Sequence, residues 1–219
     1  MRFVGEKEKA LPFFPSRWKI CPECDTIKLR PARAAEVRTG AQKERVENGM
    51  FRGATRSDLE QILKIYAHAR EAMKAAGNPA QWGDNFPPQE LLEEDIDTNR
   101  LFLYLINGQI EAVFAFILGP DPTYATIEEG QWLNDTLPYG TIHRLASAGQ
   151  RKGVASEVIA WSLEHCESLR ADTHEDNKIM QHLLEKNGFA RCGIIHVADG
   201  TPRIAYQKMS LTLPLRRED

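Results

Sequence analysis

No run of apolar residues in this 219-residue chain approaches the roughly 20 needed to cross a bilayer, and the N-terminus lacks the continuous apolar stretch of a secretory signal. Cysteine is scarce. The four, at 21, 24, 166 and 192, are too few and too unevenly spaced for the disulfide framework of a small secreted domain. Internal repeats are absent. So are Gly-x-x-x-x-Gly-Lys-Ser/Thr and Gly-x-Gly-x-x-Gly, which removes the two commonest nucleotide-phosphate loops. These absences point to a globular protein with reduced thiols, expected in the cytoplasm and not at a membrane.

What is present suffices for one sizeable core: 42% of residues are hydrophobic and the formal net charge is −3. Charge divides the chain. Residues 1–49 carry 11 Lys/Arg against 7 Asp/Glu, whereas residues 50–219 carry 17 against 24. The first part, containing LPFFPSRW, has no sustained period of either kind and reads as an irregular basic extension. It could serve an acidic partner, although a modest charge excess is more often solvated surface. Cys21-Pro-Glu-Cys24 resembles half of a zinc ribbon. A second close pair is missing, so no metal site is expected. Met50 directly precedes the first ordered-looking segment and is a candidate natural start. The expected organisation is an extension over 1–49, a folded domain over 50–212 and a charged tail over 213–219.

From Phe51 onward the punctuation is regular. A short strand at 51–54 leads to Thr55-Arg-Ser-Asp-Leu-Glu60, which supplies N-cap side chains and early acids for a helix. Leu59, Ile62, Leu63, Tyr66, Ala69 and Met73 keep helical spacing until Gly77-Asn78-Pro79. A second helix starts at Pro88. Between LFLYLI and QIEAVFAFIL, Asn107-Gly108 is a hairpin signal, since both residues tolerate positive φ. These runs are apolar on both faces, which predicts a buried sheet covered by helices on both sides. YGTIHRLAS, 139–147, reads as a strand, and the apolar spacing after Gly153 predicts a helix through Cys166 to Leu169. A short strand over 169–173, a helix over 177–187, a strand over 189–197 containing Cys192, and a return strand over 204–211 complete the order β-α-α-β-β-β-α-β-α-β-β. The fold class is α/β of the mixed (α+β) kind.

The stretch GQRKGVASEVIAWSLEH, 149–165, carries the chemistry. A strand passing through a glycine loop into a helix leaves the first N–H groups of that helix unpaired and aligned. With Arg151 and Lys152 beside them, they form an anion site suited to a diphosphate. The bland alternative is a turn with solvated cations. Gln150-Arg-Lys-Gly153-Val-Ala155 resembles the Q/R-x-x-G-x-G/A signature of the GNAT superfamily of acyl-CoA-dependent N-acyltransferases. Asn177-Lys-Ile-Met-Gln-His-Leu-Leu-Glu-Lys-Asn-Gly188-Phe189 looks like that family's asparagine-led helix ending in Gly-Phe, and the element order over residues 50–210 is similar to the family's. Residues 1–49 match nothing recognisable.

The resemblance implies a mixed, mostly antiparallel central sheet flanked by helices on both faces, with acetyl-CoA as co-substrate. Its pyrophosphate would sit on Gln150, Arg151, Lys152, Gly153, Val154 and Ala155, its pantetheine along Leu145, Ala146 and Ser147, and Asn177 would hydrogen-bond it. The family commonly has a tyrosine seven residues after that asparagine, as proton donor to the departing thiolate. Leu184 stands there instead.

Direct attack by an amine on the thioester needs a group to take a proton and a donor for the developing oxyanion, assigned to a backbone N–H near Leu145. Glu128, Glu129, His143, Asp172 and His174 are the candidate bases, of which His143 and Glu128 are preferred. Strict alternation would put Thr141, His143 and Leu145 on one strand face and Ile142, Arg144 and Ala146 on the other. Asn78, Trp82 and Phe86, joined by Trp132, Asp172 and His174, are the candidate acceptor-binding residues, and Tyr139 is a further aromatic neighbour. The reading is an N-acetyltransferase acting on a small-molecule or peptide amine. A homodimer is compatible with it, and a nucleic-acid partner is disfavoured by the acidic balance of residues 50–219. The rival readings are a catalytically weak acyl-CoA sensor and an adaptor working through residues 1–49.

Overall fold

The computed structural model describes residues 49–210. The basic extension, the Cys21/Cys24 pair and the tail over 213–219 lie outside them. Eleven regular elements follow in the expected order: β1 (Gly49–Gly53), α1 (Leu59–Ala75), α2 (Gln89–Asp97), β2 (Leu101–Ile106), β3 (Gln109–Leu118), β4 (Tyr139–Ser147), α3 (Val154–Leu163), β5 (Ser168–Thr173), α4 (Lys178–Lys186), β6 (Ala190–His196) and β7 (Pro202–Met209). β1 begins one residue ahead of the expected boundary at 50. No helix among the described residues is long and apolar enough to cross a membrane.

The strands form one sheet in the order β1-β2-β3-β4-β5-β7-β6. Every neighbouring pair is antiparallel except β4 and β5, which are joined through α3. Parallel neighbours need such a crossover because a tight turn can only reverse a chain. Asn107 and Gly108 both take positive φ, 52° and 81°, at the β2–β3 turn. Their tolerance of that region fixes the register of the hairpin.

Alternation in the apolar strands fills both faces, giving the mixed, mostly antiparallel sheet between helix layers. On one face Leu101, Leu103, Val113 and Ala115 pack beneath Ile62, Ile65 and Tyr66 of α1 and Leu92 and Ile96 of α2. On the other, Ala112, Phe114, Phe116 and Ile142 meet Val154, Val158, Ile159 and Trp161 of α3 and Leu184 of α4. A third cluster seals Tyr124 and Trp132, from the long connection between β3 and β4, onto Cys192, Ile195 and Ala205.

α3 is shorter than its periodicity predicts. Glu164 and His165 already bond three residues back, to Trp161 and Ser162, and the chain leaves the helix there. Cys166 is buried in the turn and Leu169 in β5, so both are apolar for reasons unrelated to a helix face. Cys166 and Cys192 are free thiols.

The strand faces of β4 also depart from simple alternation. Ala115 pairs with His143 but Val113 with Ala146, so three steps along β4 match two along β3. The extra residue is a β-bulge at Arg144, whose φ is +53°. It inverts the parity: Ile142 and Leu145 join the α3 side, while Ala146 turns to the α1 side. Thr141, His143 and Leu145 therefore do not share a face.

A non-glycine residue at positive φ costs about 1–3 kcal/mol unless its surroundings impose it. Two do. The buried Tyr66 hydroxyl donates to the Arg144 carbonyl at 2.9 Å, and Asp95 of α2, itself buried, takes the Arg144 guanidinium at 2.5 Å. Asp95→Ala should cost about 3 kcal/mol, because it strands a mostly buried guanidinium, and Tyr66→Phe about 1 kcal/mol. Urea denaturation measures both, and a loss below about 1 kcal/mol for Asp95→Ala would show that the bulge is held elsewhere.

Candidate active site

β4 and β5 pair only over Tyr139–Thr141 and Ser168–Arg170. Beyond that they separate toward their C-terminal ends. The start of α4, at Asn177, Lys178 and Ile179, borders this gap, whereas the loop into α3 reaches it at Gly149 and residues 150–155 do not line it. A cavity of about 910 Å³ fills the gap, within the range of small-molecule sites.

The α3 end has no side-chain cap. Gly153 occupies the N-cap position at φ 86°, a conformation that favours glycine, and a Cβ there would meet nothing within 4 Å. The side of its Cα away from the chain is open for a ligand to approach the backbone. Val154 is buried in the core, so only its N–H can face a ligand. Arg151 lies 3.4 Å from Oε1 of Glu111, a carboxylate buried beneath the loop, and Lys152 is exposed. Gln150 lines a neighbouring hollow with Gln61 and Lys64 of α1.

The α4 end is built differently. Asn177 Oδ1 accepts from the Met180 N–H at 3.0 Å, capping the helix, and its Nδ2 donates to Gln81 Oε1 at 2.9 Å. Gln81 also accepts from Asn78 Nδ2 at 2.8 Å. The loop after α1 is thereby tied to α4 across the cavity. Asn78, Trp82 and Phe86 on that loop line the cavity, as do Leu145, Ala146, Ser147 and Asn177.

His143 and Asp172 stand together on the wall. His143 Nε2 lies 2.7 Å from Asp121 Oδ2, and its Nδ1 is 3.8 Å from Asp172 Oδ1. Tyr124 donates its hydroxyl to the same Asp172 oxygen at 2.7 Å. Burial together with the neighbouring Asp172 charge holds that phenol well above its ordinary range, so it stays a donor. Burial alone would raise the Asp121 carboxyl, but the hydrogen bond and charge of His143, with the Thr123 N–H, outweigh it and bring it down to about 2.

Five expected residues fall outside this arrangement. Glu128 is exposed and does not line the cavity; its backbone forms an isolated bridge to Ile194. Glu129 beside it is exposed as well. Trp132 is buried on the far side of Arg170, whose guanidinium lies 3.9 Å from the Trp132 ring and 3.8 Å from that of Tyr139. Neither aromatic lines the cavity. His174 accepts the Asp176 N–H at 3.2 Å and serves the turn into α4. Asp121, Tyr124 and Gln81 were missed from the sequence. Asp121 stands in a Gly-Pro-Asp-Pro context that reads only as a turn, and nothing local links it to a histidine 22 residues away. Among the described residues no group of three or more His, Cys, Asp or Glu side chains is placed to hold a metal ion.

A mixed sheet opened between two parallel strands, with a cavity in the gap, defines a ligand-binding fold. No family model and no curated protein matches the chain. Solved structures do. An acetyltransferase of the GNAT family from Streptococcus agalactiae 2603 is 32% identical with a TM-score of 0.68, over 74% of this chain and 95% of that one. The chain belongs to the GNAT family of acetyltransferases. Two more distant structures share the fold: a GNAT-family acetyltransferase from Listeria monocytogenes 4b F2365, 18% identical with a TM-score of 0.56 over 74% of this chain and 94% of that one, and yncA of Salmonella typhimurium, solved with its cofactor acetyl-CoA, 13% identical with a TM-score of 0.50 over 76% and 96%.

The Asp121 carboxyl lies below its unfolded value, so its contribution to stability is complete above about pH 4 and is lost as pH falls through about 2. Asp121→Asn should therefore reduce the stability lost between pH 5 and pH 2 by on the order of 2 kcal/mol relative to wild type. Urea melts across that range give the answer; equal losses in both proteins would disconnect Asp121 from His143.

Proposed function

We propose that the protein is a cytoplasmic N-acetyltransferase that moves the acetyl group of acetyl-CoA onto an amine of a small molecule or peptide. The observation that carries this reading is the divergence of β4 from β5, with His143 on the wall of the cavity between them and the uncapped α3 N-terminus following the end of β4. The N–H groups of Gly153, Val154 and Ala155, with Arg151 and Lys152, would take the pyrophosphate. The free edge of β4 through Leu145, Ala146 and Ser147 would run beside the pantetheine, and Asn177, already bonded to Gln81, would reach its amides. Bound acetyl-CoA supplies an activated carbonyl with a thiol leaving group. The donor set suits an anionic, amide-bearing ligand: cations and N–H groups at one end, an open strand edge at the other.

An alkyl amine with a pKa of about 10.4 is mostly protonated at neutral pH. His143, with Nε2–H donated to Asp121, presents the Nδ1 lone pair toward Asp172 and takes the first proton from the bound ammonium. Asp172 offsets the charge that appears on the imidazole. The neutral nitrogen then forms the N–C bond while the C–S bond breaks, and the nitrogen loses its second proton to solvent. Leu184 has no hydroxyl to give the sulfur, so the thiol leaves as thiolate and is protonated by solvent, which a thiol pKa near about 8.5 allows. Arg144 and Leu145 lie outside the one-to-one ladder with β3, and the Leu145 N–H is the donor assigned to the developing oxyanion.

The second reading, a sensor that binds acyl-CoA without efficient transfer, is favoured by the same buried Leu184. Thiol release across an amine panel separates the two: binding without amine-dependent release supports the sensor.

Saturating acetyl-CoA, at about 100 times its dissociation constant, should add roughly 2.7 kcal/mol and raise the thermal midpoint by about 5–11 °C. No shift would end the acetyl-CoA reading. Gly153→Glu should abolish most of that shift, because an anion would stand where the pyrophosphate approaches, and the strain of glutamate at positive φ should also lower the unliganded stability by about 1–3 kcal/mol. His143→Ala should lower kcat by about a hundredfold or more with the acetyl-CoA shift retained. Parallel loss of affinity and rate would assign His143 a structural role.

A further inference from the structure

Arg203 of β7 is 8% exposed and lines the cavity, yet among the described residues it forms no salt bridge. Its one hydrogen bond runs from Nη1 to the adjacent Pro202 carbonyl at 3.2 Å. Asp199, on the exposed turn between β6 and β7, acts on it only through space. A guanidinium cannot shed its charge on burial as a lysine can, and a buried charge without a partner is costly. The other buried arginine contacts on this sheet are compensated: Arg144 has Asp95, and Arg170 lies between two aromatic rings. Arg203 alone among these faces a cavity without a hydrogen-bonded or ion-paired partner of opposite charge, the exposed Asp199 acting only through space.

Its position relative to the reacting centre is set by the sheet. Asp172 of β5 pairs with Ala205 of β7. Arg203, two residues along β7, projects from the same face as Ala205 and is the diagonal neighbour of Asp172. One cavity wall thus carries a carboxylate beside His143 and, one diagonal away, an uncompensated guanidinium. That is the complement of a compact zwitterion.

We propose that the acceptor is a free amino acid, or a similarly compact aminocarboxylate, whose carboxylate is held by Arg203 while its amine lies at Asp172 and His143. The proposal rests on the acetyl-transfer reading above and names its substrate class. A polyamine would bring a second cation against Arg203, and a peptide N-terminus carries a neutral amide where the carboxylate is needed. Trp82, Phe86 and Ile117 line the same cavity, which favours an apolar side chain.

The test compares acetylation of L-leucine, L-phenylalanine and L-methionine with that of the matched decarboxylated amines and of spermidine, with acetyl-CoA binding followed by thermal shift in every protein. At least one amino acid should exceed its matched amine by tenfold or more in kcat/KM. Arg203→Gln should reduce that ratio at least tenfold, and Arg203→Lys should retain most of it. Amines acetylated as well as their amino acids, spermidine accepted and no amino acid, or a ratio unchanged in Arg203→Gln would overturn the proposal. If Arg203→Gln does not fold, the wild-type ratio and Arg203→Lys decide. A normal acetyl-CoA shift with a flat ratio defeats this inference alone, whereas no shift defeats the acetyl-transfer reading and this one with it.

Discussion

The geometry of the whole molecule turns on Arg144. One extra residue in β4, held at positive φ by the Tyr66 hydroxyl and the Asp95 carboxylate, bends the strand away from β5 halfway along its length. Without the bend the two parallel strands could continue their ladder and the sheet would close. With it, backbone groups on the inner edge of β4 lose their protein partners and face a cavity. Both clamps come from elements far away in sequence, on α1 and α2, so the helix layer on one face of the sheet determines the opening that the helices of the other face line. The buried ion pair is weak evidence for net stability. Its more defensible role is conformational: it selects the bulged strand over the regular one.

The same helix layer fixes what stands in the opening. His143 shares its face with Ala146 only because the bulge reverses the parity between them. Its partner Asp121 belongs to the long β3–β4 connection, and that connection is anchored from below. Arg170 lies between Trp132 and Tyr139, and the Tyr139 hydroxyl accepts the Asp121 N–H at 2.9 Å. Asp121 is thus held through its backbone as well as its carboxylate. The residues first expected to bind an acceptor, Trp132 and Tyr139, act one layer further back, by holding the carboxylate that meets the histidine.

Most of the fold was legible in the sequence because it rests on local signals. Apolar period, Asn107-Gly108, the Asn177 cap and the glycines around α3 each act over a few residues, and the element order follows from them. Helix α3 was overextended because Cys166 and Leu169 continue an apolar spacing that a turn and a strand exploit instead. The bulge was invisible: arginine carries no preference for positive φ, and what imposes it is 49 and 78 residues away. The glycine-led, uncapped N-terminus of α3 was readable because glycines and the strand-to-helix order mark it locally. The chemical end of the cavity was not, since Asp121, Tyr124 and Arg203 come together only through sheet pairing and the packing of a long loop. Glu128 was favoured for standing just ahead of β4, but adjacency in sequence gave no information on which way the chain turns.

The two ends of the cavity are not independent. Asn177 spends one side-chain group on the first turn of α4 and the other on Gln81, and Gln81 takes Asn78 as well. A ligand that engages Asn177 therefore touches a residue already committed to holding the loop that carries Trp82 and Phe86. If the loop shifts, Asn177 loses one partner; if Asn177 is drawn toward a ligand, the loop follows. Asn78 Oδ1 is buried beside this link without a partner of its own, which leaves the chain of amides one acceptor in excess. A ligand donor arriving there would complete it. Filling one end of the gap is thereby expected to order the other through three amide side chains, with no movement of the sheet required.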